Sequence, residues 1–166
     1  VQTAAIGRAH GIGQIGVASL LLTPLAASLA GRASEHWPEG MKPIAWGRDA
    51  CVRCNMRIAD HRFAAQLRGG PKDTTFKFDD VGCLVFWLEE QRVRFPWMND
   101  ATTRMWVAAW ESPSAEKAVW LDPRQARYIA KRSPMRYDLA ASTATNADTP
   151  SLSYAEMRAK TLARGK

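Results

Sequence analysis

This chain of 166 residues is short of cysteine, histidine and acid, and each shortage removes a class of protein. Its three cysteines, Cys51, Cys54 and Cys83, are an odd set. They cannot all pair within one monomer and are too few for a four-cysteine zinc site. Histidine is as scarce, and no Ser–His–Asp set, glycine-rich phosphate loop or convincing carboxylate pair is present. Asp79–Asp80 and Glu89–Glu90 read instead as a helix cap and a solvated helix end, so an enzyme is not expected. Asp and Glu number 16 against 23 Lys and Arg, a net charge of +7, but no long basic run occurs. The basic groups are local, as at Lys131–Arg132 and Arg158–Lys160, with no zinc-finger spacing and no RNA-binding aromatic signature. A basic surface facing an acidic partner or an anionic membrane accounts for the charge, and nucleic acid is not an expected partner.

What the chain does contain begins with an uncharged stretch, Gly11 to Gly31, flanked by Arg8 and Arg32. Residues 1–32 therefore read as a secretory signal, with Ser28 and Ala30 placed for cleavage, or as a membrane anchor helix of roughly 20 residues. Gly31 and Arg32 stand where a lipidation cysteine would. The expected location is periplasmic, attached to the inner membrane by this segment.

Residues 33–50 read as a linker rich in Pro, Gly and Trp, ahead of a domain over 51–141. Within that domain Phe63–Leu67 and Thr74–Phe78 read as strands around a Gly-Gly-Pro turn. Asp79 or Asp80 then caps a helix over Val81–Gln91. The pattern recurs: strands over Met105–Trp110 and Lys117–Leu121, then Asp122-Pro123 opening a helix over Gln125–Lys131. The expected fold is α+β, two duplicated strand–strand–helix units preceded by an apolar N-terminal helix. Residues 142–166 form a polar tail in which Ser153-x-x-Glu156 opens a short basic helix.

The densest sulfur cluster is Cys51-Val-Arg-Cys54-Asn-Met56. Two thiols and a thioether are soft ligands of the kind that select copper(I). If the chain is extended at Asn55, Cys54 and Met56 project to one side. The Cys-x-x-Cys pair alone has other readings. Haem attachment fails because Asn55 follows Cys54, and a thioredoxin-like motif fails because the pair precedes a strand. Zinc held by three cysteines and His61, or a Cys51–Cys54 or Cys51–Cys83 disulfide, remain open alternatives.

A wider pattern surrounds this cluster. Cys51-x-x-Cys54-x-Met56 is followed by Ile58-x-Asp60-x-Arg62-Phe-Ala-Ala-Gln66, then by Phe78-Asp-Asp-x-Gly-Cys83 leading to Trp87-Leu88. Trp106-Val, Trp120-Leu-Asp-x-Arg124-x-Ala-x-Tyr128 and Ser133-Pro-Met135 with Asp138-Leu-Ala-Ala141 complete it. Over roughly residues 51–141 this resembles the NosL family, copper-binding accessory factors of nitrous-oxide reductase, whose fold is related to organomercurial lyase. The resemblance implies a copper(I) chaperone with Cys54, Met56 and Met135 as metal ligands, joined by Cys51, and a recipient copper enzyme as partner. A membrane-anchored accessory subunit of a membrane complex is the other reading. Asn55 and Arg136 stand where the family usually has Gly, and Asn tolerates a left-handed backbone.

Overall fold

The structure, a computed structural model, describes residues 37–144 and 149–165. The apolar segment expected as a signal or anchor lies outside them. Among the described residues no helix is long and apolar enough to cross a membrane.

Among the described residues two antiparallel sheets and two α-helices make a mixed α+β domain. Strands β1 (Ala65–Gly69) and β2 (Thr74–Phe78) form the expected hairpin, with Ala65 opposite Phe78 and Gly69 opposite Thr74. Gly70, at a φ of 72°, supplies the positive dihedral that the turn requires. Strands β3 (Arg104–Ala108) and β4 (Trp120–Leu121) complete a sheet ordered β2-β1-β3-β4. Helix α1 (Val81–Glu90) starts where expected and packs its Leu84 and Val85 into the core with Leu67, Phe78 and Val107.

The opposite face of β1 is covered by the stretch expected to be a linker. Gln66 is fully buried there, and its side-chain amide bonds the Lys42 backbone through both N–H (2.8 Å) and C=O (2.8 Å). A buried amide must be satisfied, and this pairing mimics one rung of a sheet ladder. It holds residues 37–46 against the sheet, with Met41 and Ile44 in the core and Trp37 stacked near Trp46 and Trp120. The domain thus begins before Cys51.

The second unit departs from its expected form. Asp122-Pro123 opens only a single turn, in which Gln125 and Ala126 N–H donate to the Asp122 carbonyl. The chain then becomes strand β5 (Arg127–Ala130), paired with β6 (Leu139–Ser142) where a helix over Gln125–Lys131 was expected. Burial decides this. Tyr128 is fully buried, exchanges backbone bonds with Leu152 (2.9 and 2.8 Å), and donates its hydroxyl to the Pro123 carbonyl at 2.7 Å. A helix there would forfeit the pairing on both sides of that residue. The strand–strand–helix repeat therefore holds in the first half only.

Helix α2 (Tyr154–Arg164) carries the expected capping box between Ser153 and Glu156. It docks on the domain: Met157 and Thr161 are buried, and Arg158 pairs with Glu89 of α1.

One close approach sets the position of the loop before β6. A Cβ built at Gly82, in the first turn of α1, would overlap the Tyr137 ring. Gly82→Ala is expected to lower stability by about 2 kcal/mol, as overpacking does. Chemical denaturation checks this, and an unchanged midpoint would contradict the packing described.

Candidate metal centre

Four acidic side chains meet where the Cys51–Met56 loop crosses the junction of β2 and α1. The sulfurs of Cys51, Cys54 and Cys83 and a carboxylate oxygen of Asp79 all lie within 4.8 Å of one another. All three cysteines are free thiols. Cys51, Asp79 and Cys83 are buried, while Cys54 is half-buried and forms the open edge of the group.

Local structure explains each placement. The loop closes on itself through Cys51 N–H to the Met56 carbonyl (2.8 Å) and Asn55 N–H to the Cys51 carbonyl (2.9 Å). It is tied to the sheet by Val52 N–H donating to the Lys77 carbonyl at 3.0 Å. Asn55 adopts a left-handed φ of 61°, so the loop turns there, and the alternation expected of an extended chain does not apply. Met56 ends 56% exposed at the loop's outer end.

Asp80 is the helix cap, its carboxylate accepting from Gly82 N–H at 2.8 Å. Asp79, the residue before it, is thereby left to face the thiols, and its Oδ1 accepts from the Cys54 thiol at 3.2 Å. Cys83 sits in the first turn of α1, where the helix dipole favours negative charge.

Protons are unevenly shared within the group. The Cys83 thiol donates to the Cys51 sulfur, and backbone N–H groups of Cys54, Asp79 and Arg53 add to this, holding Cys51 down at about 4. Bonding to that thiolate, together with burial, pushes Cys83 upward. Burial pushes Cys54 up to about 12, and burial with the Cys51 charge beside it raises Asp79 to about 6. The negative charge of the group is thus drawn to Cys51, and Cys54 and Cys83 are pushed towards their protonated forms.

Arg53, between the two loop cysteines, fastens the site to its surroundings. Its guanidinium pairs with both Glu90 oxygens (3.1 and 2.8 Å), donates to the Tyr137 hydroxyl at 2.9 Å, and lies over the Phe86 ring at 4.5 Å. One side chain therefore joins the loop, α1 and the segment before β6. A planar, multiply donating cation suits this better than lysine would.

The residues expected as ligands separate into two groups. Cys51 and Cys54 are in the cluster. Met56 stands at the surface, and Met135 lines a groove of about 330 Å³ with Arg53, Arg136 and Tyr137. Met135 is tied through its backbone to the helix cap next to the cluster, its N–H donating to the second oxygen of Asp80 at 3.1 Å. Arg136, which follows it, has a φ of 61°, the left-handed conformation that glycine adopts freely. His61 is engaged elsewhere, 3.2 Å from the Ser112 carbonyl and edge-on to Trp46.

Asp79 is the member that sequence reasoning left out, and Cys83 entered it only through the zinc and disulfide alternatives. A signal for both was present: two adjacent aspartates precede the helix, only one can cap it, and Cys83 follows in the first turn.

Two outcomes check this geometry. Cys83→Ala removes the hydrogen bond that most lowers Cys51, so the Cys51 value should rise, and the ultraviolet thiolate absorbance at mildly acidic pH should fall. Arg53→Met is expected to cost about 2 kcal/mol on denaturation, with most of the loss recovered in a double-mutant cycle with Glu90→Gln. No coupling in that cycle would show that the pair does not hold the loop.

Comparison with protein-family models, curated proteins and solved structures finds no match. The site accordingly stands on its own geometry, three thiols and a carboxylate grouped as a metal ion would need them.

Proposed function

We propose that this protein is a periplasmic copper(I)-binding chaperone, which carries the ion on the sulfurs of Cys51, Cys54 and Cys83 and hands it to a partner metalloenzyme. The observation that carries the reading is the convergence of three free thiols on one point, two buried and one half-buried. Copper(I) is a soft ion that accepts two or three thiolates, and thiolates select it over harder ions. The gradient of burial suits transfer. Cys51 and Cys83 retain the ion while Cys54 exchanges with an incoming sulfur of the acceptor.

Met56, exposed on the same loop, and Met135, in the adjoining groove, act in this account as thioethers at the rim that receive the ion on its way in or out. The client class comes from the resemblance to the NosL family: a copper enzyme such as nitrous-oxide reductase. The net charge of +7 suits an acidic docking surface on that enzyme or an anionic membrane face. Loading must displace the protons on Cys54 and Cys83, so affinity should weaken as pH falls.

Anaerobic copper(I) titration against a competing chelator tests the reading. The wild type should bind one ion tightly, Cys54→Ser should lose at least about 100-fold in affinity, and Met135→Leu should slow transfer more than it weakens binding. Failure of the wild type to compete would sink the proposal.

A further inference from the structure

We propose that Asp79 makes this centre a four-coordinate site for a divalent thiophilic ion, zinc or cadmium, in addition to the copper(I) it holds through sulfur alone. The inference rests on the same cluster as the copper reading but adds a ligand, a geometry and a second class of ion.

Three observations carry it. The first is the ligand set. Copper(I) has little use for a carboxylate oxygen, whereas zinc is held by thiolate, imidazole and carboxylate in a closed tetrahedron. Asp79 is 3% exposed and places its oxygen 3.2 Å from the Cys54 sulfur, inside the thiol group rather than out in solvent.

The second is spacing. Zinc–sulfur bonds of about 2.3 Å and zinc–oxygen bonds of about 2.0 Å give tetrahedral edges of roughly 3.5–3.8 Å. No pair of ligand atoms here is farther apart than 4.8 Å, so side-chain shifts of the order of 1 Å close the set around an ion.

The third is charge. Four deprotonated ligands carry four negative charges. A divalent ion leaves two, a monovalent ion three, and buried excess charge is costly. The positive groups described beside it are the Arg53 guanidinium, already paired with Glu90, and the N-terminus of α1, a helix of 10 residues whose first turn contains Cys83. They match the smaller excess better. In the copper(I) form Asp79 is a neighbour of the metal. In the divalent form it is the fourth ligand.

The test compares zinc(II), cobalt(II) and copper(I) on the reduced full chain and on Asp79→Asn, which keeps the side chain's size, with Cys54→Ser as control. Wild type should bind one zinc against a chromophoric chelator. Its cobalt(II) form should show the intense visible bands of tetrahedral coordination with strong sulfur charge transfer. Asp79→Asn should lose roughly tenfold or more in zinc affinity with copper(I) affinity little changed, and Cys54→Ser should weaken both ions. An equal loss of both ions in Asp79→Asn would overturn the proposal, since Asp79 would then act only on the fold. If the variant does not fold, the wild-type cobalt spectrum decides alone, because weak octahedral bands contradict the four-coordinate set. Copper(I) binding without zinc binding would also overturn it and leave the chaperone reading standing. Zinc binding without copper(I) would do the reverse.

Discussion

The buried carboxylate of Asp80 is the contact on which the rest of the site depends. One oxygen caps α1 at Gly82, and the other takes the N–H of Met135, 55 positions along the chain. Burial of this group raises its affinity for protons. The Ser133 hydroxyl and the two backbone donors work against that shift. With the cap fixed, the residue before it must point the other way, towards Cys51 and Cys54, and the residue three beyond must present its thiol from the first helical turn. The same bond seats the segment before β6, so Tyr137 can close over Gly82 and receive Arg53. Secondary structure, tertiary docking and ligand placement therefore share one buried carboxylate.

Much of the first half of the fold was legible in the sequence because its signals are local. A Gly-Gly-Pro turn between two short apolar runs gives the β1–β2 hairpin, an aspartate followed by apolar residues at helical spacing gives α1, and a Ser-x-x-Glu box gives α2. The second half was misread where local and distant preferences conflict. Asp122-Pro123 is a sound helix start, yet Tyr128 and Ile129 are buried in a strand that pairs with β6, and Tyr128 also pairs with Leu152. Likewise nothing local showed that residues 37–46 would be drawn onto the sheet, since the cause is Gln66, some 20 residues away, satisfying itself on Lys42.

The candidate site was half legible for the same reason. Cysteine spacing located Cys51 and Cys54, but only the fold could bring Cys83 and Asp79 to them. The expected Cys54–Met56 alternation failed at a single dihedral, the left-handed Asn55. Arg136 shows the reverse case: its identity gives no hint of a turn, yet it adopts the positive φ that glycine would supply.

On the proposed reading the site joins two demands that usually conflict, retention and release. Buried Cys51 and Cys83, with Arg53 clamped to Glu90 and Phe86, give a fixed floor, while half-buried Cys54 and exposed Met56 give an edge from which an ion can leave. The central claim is that this floor and edge are one metal centre built on sulfur. X-ray absorption spectroscopy of the copper(I)-loaded full chain tests it most directly. The account predicts a first shell dominated by sulfur that loses one sulfur scatterer in Cys83→Ala; a shell of nitrogen and oxygen alone, or one unaltered by that substitution, would contradict it.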